Sequence, residues 1–306
     1  MKKVLISTSS FAEFSDEPIK LLEKNNFNYI LNPYKRKLSE EETVSLLAGC
    51  VGVIAGTEKY NRNVLGKCDS LKIISRVGVG TDNIDFSETD SNGIVVLKTE
   101  TDLSKAVAEL ALGLVMDVSR KISQHNQLIK SGVWSKKIGH LVSGKTLGVL
   151  GLGKIGKTLV QLTSGFGLRY LACDQFPDRD FAGRYDLEYV ELNELLSRSD
   201  IISIHMKYDH SLLNLLSGKQ LELLKTNAIL INTSRGELID ENALYKCLSE
   251  NRIFGAGLDV YHDEPYKGVL TELDNIVLAP HNGSFVKEVR LKMELEAVEN
   301  LVGLRL

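Results

Sequence analysis

The stretch Lys145–Val160, KTLGVLGLGKIGKTLV, carries the strongest indication of fold in this 306-residue chain. Its apolar start is typical of a β-strand, and its end has the spacing of a helix. Between them lie Gly151, Gly153 and Gly156 in the pattern G-x-G-x-x-G. In such a context the first glycine makes a tight turn, the second admits a phosphate group and the third allows close packing. The stretch therefore predicts the dinucleotide-binding βα unit of a Rossmann-type domain.

Two features beside the glycines indicate which dinucleotide binds. Lys154 and Ile155 lie at the start of the predicted helix, where free amides and the positive end of the helix dipole attract phosphate. Asp174 ends the next apolar run, RYLACD, about 20 residues beyond the first glycine. A carboxylate there accepts hydrogen bonds from ribose hydroxyls and repels a 2′-phosphate, so NAD is expected rather than NADP. A solvated loop acid is the alternative role for Asp174.

The composition is typical of a globular protein, with 43% hydrophobic and 25% charged residues. The net charge of −3 offers no basic excess, so nucleic acid is not expected as a partner. No run of ~18 apolar residues indicates a membrane span, and the N-terminal residues become polar too soon for a signal peptide. We therefore expect a cytoplasmic protein. The four cysteines lack C-x-x-C spacing and are interpreted as reduced structural thiols rather than metal ligands.

Two series of alternating strands and helices divide the chain. The first series contains five predicted strands, which begin at Lys2, Asn28, Val51, Leu71 and Ile94. The second contains seven, which begin at Thr146, Arg169, Leu187, Ile201, Ala228, Ile253 and Asn275. Strand–helix alternation of this kind predicts α/β domains with parallel, doubly wound sheets.

A final helix follows the last predicted strand, and too few residues remain there for another domain. We expect this helix to pack back onto the first series. The predicted layout is a Rossmann domain for the cofactor, residues 102–283, inserted into a discontinuous substrate-binding domain, residues 1–101 and 284–306. The active site is expected in the cleft between the two domains.

The stretch from Thr101 to Gly132 contains no proline and is predicted to form one long helix that bridges the domains. Its apolar residues recur with helical spacing, and they are Val107, Leu110, Ala111, Leu114, Val115 and Val118. A stripe this wide indicates a helix that is buried on most sides. We expect the helix also to meet a second subunit, which makes a homodimer the predicted assembly.

Ligands of an open α/β sheet bind beyond the carboxyl ends of its strands, and three reactive side chains follow predicted strands there. Arg235 offers a planar cation that can hold a 2-hydroxy or 2-keto carboxylate. His281 can exchange a proton near neutrality, and Glu264 is expected to orient its ring and favour the protonated acid. Asp259 is predicted to accept from the nicotinamide carboxamide. Each of these residues, taken alone, is also compatible with a surface ion pair or a turn. A metal site at His262–Glu264 is disfavoured, because adjacent residues rarely face one ion.

Five segments in this order resemble the D-isomer-specific 2-hydroxyacid dehydrogenase family: RVGVGTDNID, GLGKIG, INTSRGELID, AGLDVYHDEP and LAPHNGS. The resemblance covers nearly the whole chain. It implies a flavodoxin-like substrate domain around an inserted NAD domain, a small 2-hydroxy or 2-keto acid substrate, and Arg235, Glu264 and His281 as the catalytic set. The implied cofactor contacts are Lys154, Ile155, Asp174, Met206, Thr233, Asp259 and Gly283.

The loop after the fourth predicted strand, from Val77 to Gly80, is rich in small residues that expose backbone amides as an anion nest. The family resemblance implies that Val79 and Gly80 hold the substrate carboxylate. A plain glycine turn before a helix cap at Thr81 or Asp82 is the alternative.

Within the family, the segments Arg76–Asn83 and Ala108–Leu110 are most similar to D-3-phosphoglycerate dehydrogenases, which implies a role in serine biosynthesis. Cations that could bind the substrate phosphate are Arg76, Lys59, Lys136 and Lys137. Ala55–Thr57 departs from the pattern, since many phosphoglycerate enzymes carry an Arg-Ser pair there. Reduction of hydroxypyruvate, glyoxylate or another 2-keto acid is the alternative. A third possible function is that of an NAD-sensing, corepressor-like protein, and the intact Arg–Glu–His set disfavours it.

Overall fold

The structure is a computed structural model that describes residues 2–304 of the chain. It divides into two compact units, each with its own parallel sheet. The first unit comprises Met1–Asp102 and Phe285–Leu306, and the second comprises Leu103–Ser284. The α/β class expected from the sequence is confirmed, with a five-stranded and a seven-stranded sheet.

Short apolar and β-branched runs form the sheet of the first unit. Its strands are β1 (Lys2–Ile6), β2 (Phe27–Leu31), β3 (Gly52–Ala55), β4 (Ile73–Arg76) and β5 (Val95–Lys98). All neighbours pair in parallel, in the order β2-β1-β3-β4-β5. This is the flavodoxin-like order, and it changes direction between β1 and β3, where such sheets bind ligands beyond the carboxyl ends of their strands.

Four helices connect these strands, and side-chain caps begin three of them. The four helices are α1 (Glu17–Lys24), α2 (Glu40–Leu47), α3 (Arg62–Leu65) and α4 (Phe86–Ser91), and the three with side-chain caps are α2, α3 and α4. A capping box begins α2, because Ser39 and Glu42 each accept the backbone amide of the other. The carboxylate of Asp85 caps α4, so the cap considered at Thr81 or Asp82 is absent there.

The second unit is built on seven parallel strands. They are β6 (Thr146–Leu150), β7 (Arg169–Cys173), β8 (Leu187–Tyr189), β9 (Ile201–Ile204), β10 (Ile229–Asn232), β11 (Gly255–Leu258) and β12 (Ile276–Leu278). Their order is β12-β11-β10-β9-β6-β7-β8. Strand β6 is buried at every position and leads into the glycine turn. Because the order reverses at β6, the ligand crevice of this Rossmann-type sheet lies beyond its carboxyl end.

The helices of the second unit cover both faces of its sheet. They are α5 (Ser104–Arg120), α6 (Ile122–Lys130), α7 (Lys154–Thr163), α8 (Arg179–Tyr185), α9 (Leu192–Arg198), α10 (Gly218–Leu221) and α11 (Glu241–Ser249). The apolar stripe of α5 packs against α7, β10 and β11. Packing within its own unit therefore accounts for much of the stripe's width.

The single long helix predicted for residues 101–132 is wrong, because α5 and α6 are separate. Lys121 breaks the helix with φ +56°, in the left-handed region that side chains rarely adopt. The carboxylate of Asp117 accepts the backbone amide of Ser123 at 2.8 Å, which satisfies a donor in the first turn of α6. Periodicity could not reveal this break, since the apolar spacing continues across it.

The final helix, α12 (Lys287–Gly303), belongs to the first unit. It packs on α1 and on β3, β4 and β5. The hydroxyl of Ser75 in β4 donates to the Ala297 carbonyl at 2.8 Å, and the Glu296 carboxylate accepts the Glu100 amide at 2.7 Å. Within residues 2–304, none of the helices is both long and apolar enough to cross a bilayer.

Candidate active site

The glycine turn after β6 has the geometry that a dinucleotide phosphate requires. Gly151 adopts φ +90°, which favours glycine. A Cβ on Gly156 would overlap the carbonyl oxygen of Gly151, so only glycine lets α7 start so close to the turn. No atom lies within 4 Å of the place that a Cβ on Gly153 would occupy, which leaves space for the phosphates to approach the backbone.

Asp174 follows β7 directly and holds the glycine turn from the side. Its Oδ2 accepts the Leu152 amide at 2.7 Å, and its Oδ1 accepts the Phe176 amide at 2.8 Å. Each carboxylate oxygen keeps a second lone pair, so the side chain can still accept a ribose hydroxyl. Lys154 and Ile155 open α7, where amides have no partner inside the helix. The residues around the turn therefore fit NAD.

Met206 and Thr233 lie after the neighbouring strands β9 and β10, on either side of a half-buried histidine. His205 Nε2 is 2.8 Å from the Ser203 hydroxyl, and its Nδ1 is 3.5 Å from the Thr233 hydroxyl. The hydroxyl of Ser234 donates to the Met206 carbonyl, which joins the two loops. Burial lowers the pKa of His205 to about 4, so its ring is neutral at pH 7.

Arg235 ends a tight loop after β10 that Asn232 shapes. The Asn232 side chain donates to the Arg235 carbonyl at 2.8 Å and accepts the Ser234 amide at 3.0 Å. The guanidinium donates through Nη1 to the Ser234 carbonyl at 2.7 Å. A Cβ on Gly236 would overlap the backbone of Tyr261, so the loop that carries Arg235 and the loop after β11 pack backbone against backbone.

Glu264 and His281, two of the three predicted catalytic side chains, are in direct contact. His281 Nδ1 lies 2.8 Å from Oε2 and 3.0 Å from Oε1 of Glu264. The His281 side chain is 38% exposed and that of Glu264 21%, so the pair is accessible yet partly desolvated. The Tyr261 amide donates to Glu264 Oε1 at 3.3 Å. His281 itself has φ +53°, a conformation that persists in non-glycine residues only where the surroundings enforce it.

Asp259 helps to hold His281 in this left-handed backbone conformation. It is 1% exposed, and its two carboxylate oxygens accept the amides of Asn282 and Gly283, each at 2.8 Å. Burial raises the pKa of Asp259, and the two amide donors oppose this effect. Asp259 thus fixes the backbone immediately after His281. Contacts of Asp259 and Gly283 with the nicotinamide remain predictions.

The predicted substrate residues Arg76, Val79 and Gly80 lie on the loop after β4 in the first unit. Gly78 adopts φ +139°, and its amide donates to the Thr99 hydroxyl at 2.9 Å. Arg76 donates to the Val77 carbonyl. The turn is thus held at its start, and the Val79 side chain is exposed. The role of this loop in binding the substrate carboxylate stays a prediction.

Several residues that organise the site escaped the sequence reasoning. Asn232, His205 and Tyr261 follow or end strands at the same edge of the sheet as the predicted residues, so the rule that located Arg235 could have found them. Gly236 carries no such signal, because its role is to admit a distant segment of backbone.

Comparisons with known proteins identify the family of the chain. A sequence profile for the NAD-binding domain of D-isomer specific 2-hydroxyacid dehydrogenases matches residues 112–283. Glyoxylate reductase from Thermococcus litoralis is 40% identical over 257 residues, which cover 81% of this chain and 78% of that protein. D-3-phosphoglycerate dehydrogenase from Methanocaldococcus jannaschii is 38% identical over 258 residues, 83% of this chain and 49% of its own length. The apo structure of D-lactate dehydrogenase from Escherichia coli has a TM-score of 0.87 at 29% identity, covering 100% of this chain and 97% of that one.

The chain belongs to the D-isomer specific 2-hydroxyacid dehydrogenase family. It is an NAD-dependent oxidoreductase of D-2-hydroxy acids, which confirms the class and the cofactor expected from the sequence. The nicotinamide, when bound, supplies or accepts the hydride. The chain itself provides the glycine turn beside β6, a shape that fits this cofactor.

Replacing the third glycine tests the turn. Gly156→Ala should lower NADH affinity by about 10-fold or more, since the added methyl group pushes α7 away from Gly151 and widens the phosphate site. Fluorescence titration with NADH measures the effect. Gly165→Ala is the matched control, because a Cβ there meets no atom within 4 Å. Equal affinity in both variants would contradict the assigned geometry.

The lowered pKa of the half-buried His205 predicts a pH dependence of stability. The pKa of His205 is about 4 in the folded chain against an ordinary 6.5, so the unfolded chain binds more protons between these values. The free energy of unfolding should therefore fall as the pH is lowered from 6.5 to 4, by roughly 1–3 kcal/mol. Urea unfolding at a series of pH values should show a shallower slope for His205→Asn than for the exposed-histidine control His262→Asn. Identical slopes would exclude this role for His205.

Proposed function

We propose that this enzyme uses NADH to reduce the keto group of a short, unphosphorylated 2-keto acid of the glyoxylate or hydroxypyruvate type. The contact between His281 and Glu264 carries the proposal. Since the carboxylate binds Nδ1 of the ring, Nε2 is the nitrogen that can give a proton to the substrate oxygen. The carbonyl carbon gains a hydride as its oxygen gains this proton, and the product is a 2-hydroxy acid. Glu264 holds the ring in this orientation.

In this proposal, Arg235 holds the substrate carboxylate. The guanidinium is planar and permanently charged, which suits two-point binding of a carboxylate. Asn232 and Gly236 support its loop on both sides. Fixing the carboxylate and the keto oxygen together orients the carbonyl face that receives the hydride.

The buried carboxylate of Glu58 supports an unphosphorylated substrate. Glu58 follows β3 and is 2% exposed. Its Oε2 accepts the Ser7 hydroxyl at 2.8 Å and the Gly56 amide at 2.9 Å. Asn83 donates to the Glu58 carbonyl at 2.5 Å, which ties this acid to the loop after β4. An acid at this position offers no positive charge that could bind a substrate phosphate. The name of the Thermococcus litoralis relative, glyoxylate reductase, agrees with this choice.

A second candidate is 3-phosphoglycerate oxidation to 3-phosphohydroxypyruvate, which would serve serine biosynthesis. The segment Arg76–Asn83 and the similarity to D-3-phosphoglycerate dehydrogenase from Methanocaldococcus jannaschii favour it. The surroundings of the lysines proposed to bind the phosphate do not favour this candidate. Lys137 is paired with Asp274 at 3.4 Å, and Lys59 is exposed beside the buried Glu58.

Steady-state oxidation of NADH with a panel of keto acids separates the two candidates. We expect kcat/KM for glyoxylate or hydroxypyruvate to exceed that for 3-phosphohydroxypyruvate by about 10-fold or more, because the acid Glu58 follows β3 where a phosphate would need a cation. His281→Ala should lower kcat by roughly 10²–10⁴, as loss of a general acid does. The control His262→Ala, an exposed histidine on a nearby loop, should retain activity. A preference for the phosphorylated acid would favour the second candidate, and full activity of His281→Ala would refute the proposed mechanism.

We also propose that the enzyme is a homodimer in which the segment 122–141 contacts the second copy. This segment presents six large exposed apolar side chains: Ile122, Ile129, Val133, Trp134, Ile138 and Leu141. Trp134, Ile138 and Leu141 are 85%, 89% and 75% exposed. Concentrated apolar exposure of this kind is typical of a protein interface. Exposed tryptophan is also a frequent contributor to association energy.

Loss of these side chains should weaken association. Sedimentation equilibrium should show a dimer for the natural chain and a dissociation constant about 100-fold higher for Trp134→Ser combined with Ile138→Ser. Tyr34→Ser is the control, since it removes an exposed aromatic ring from the first unit. A monomeric natural chain, or a variant that associates as tightly as the control, would contradict the proposed interface.

A further inference from the structure

Tyr261 contacts both of the segments that bear the predicted catalytic pair. It follows β11 and is 6% exposed. Its amide donates to Glu264 Oε1 at 3.3 Å. Its hydroxyl lies 2.8 Å from the carbonyl oxygen of Ala279, which comes two positions before His281. One residue therefore links the segment that bears the carboxylate to the segment that bears the imidazole, through its amide on one side and its hydroxyl on the other.

The hydroxyl of Tyr261 acts as a donor. Both of its neighbours are carbonyl oxygens, that of Ala279 at 2.8 Å and that of Leu258 at 3.2 Å, and carbonyl oxygens only accept. Burial raises the pKa of Tyr261, so the O–H proton is retained. The Ala279 amide already donates to the Leu258 carbonyl at 2.8 Å across the pair β11–β12. The hydroxyl thus closes the end of this strand pair, where the ladder stops and the His281 loop begins.

The position of the Tyr261 ring is itself well determined. The ring stacks on Tyr266, with centroids 4.3 Å apart and planes inclined by 21°. On the other side, the backbone of Tyr261 lies against Gly236, where a Cβ would overlap it. The ring and backbone are therefore held by packing, independently of the hydroxyl. Removal of the oxygen alone should leave both in place.

We propose that Tyr261 is a positioning residue for the reaction, and that its hydroxyl sets the segment Ala279–His281 so that the imidazole meets Glu264 in the productive orientation. The inference rests on the proposed roles of His281 and Glu264. His281 has a left-handed backbone that needs support on both sides. Asp259 holds the two amides after it, and the Tyr261 hydroxyl holds the carbonyl before it. A proton donor misplaced by a fraction of a bond length transfers its proton more slowly, while cofactor binding is unaffected.

The first test compares two conservative variants of the stacked pair. Tyr261→Phe removes the hydroxyl that binds Ala279, and Tyr266→Phe removes a hydroxyl that instead accepts the Leu270 amide. We expect Tyr261→Phe to lower kcat with glyoxylate or hydroxypyruvate by about 3- to 10-fold, with NADH affinity and thermal midpoint close to those of Tyr266→Phe. Equal kcat values for the two variants would overturn the proposal. A fall in NADH affinity that matches the fall in kcat would also overturn it.

A double-mutant cycle separates positioning from general loss of stability. If Tyr261 acts through the pair, Tyr261→Phe should lower kcat by less than about 2-fold when Glu264→Gln has already removed the ion pair. The same fold-loss in both backgrounds would overturn the positioning role. The Glu264→Gln variant also separates the role of Glu264 from that of Tyr261. Full activity of Glu264→Gln alone would refute the proposed mechanism, whereas an impaired Glu264→Gln with additive losses would refute only the role of Tyr261.

Discussion

Parallel pairing is the constraint on which the structure of each unit depends. Every strand that pairs in parallel must be followed by a crossover, so all strands of one sheet end at the same edge. In the second unit this single edge receives the glycine turn after β6, Asp174 after β7, His205 after β9 and the Arg235 loop after β10. Residues far apart in sequence therefore share one surface without any specific contact to bring them there. The specific contacts then refine their orientation.

Carboxylates determine the orientation of several loops at this edge. Asp174 and Asp259 each accept two backbone amides from loops, and Glu264 accepts one in addition to its contact with His281. Loops have no regular ladder to satisfy their amides, so an acid at a strand end supplies the acceptor. The acids expected to meet the cofactor or the imidazole are thus also structural. For this reason, informative variants at this edge remove one atom or one charge instead of a whole side chain.

The two histidines at this edge illustrate how surroundings decide chemistry. His205 lies between Ser203 and Thr233, two hydroxyl groups without charge, and burial keeps it neutral. His281 is more exposed, faces a carboxylate and sits on a left-handed backbone. A neutral ring between hydroxyls is suited to holding loops together. A ring beside a carboxylate is suited to carrying a proton.

The sequence by itself determined the α/β class, the twelve strands, the NAD fingerprint and the family, because hydrophobic periodicity and glycine spacing are local properties. It also placed Arg235, Glu264 and His281 at strand ends, where parallel sheets bind ligands. Only the tertiary structure decided that α5 ends at a left-handed Lys121, that Gly236 admits the backbone of Tyr261, and that Asp259 and Tyr261 hold the backbone around His281. These features depend on contacts between segments distant along the chain, and such contacts leave no period or spacing in the sequence.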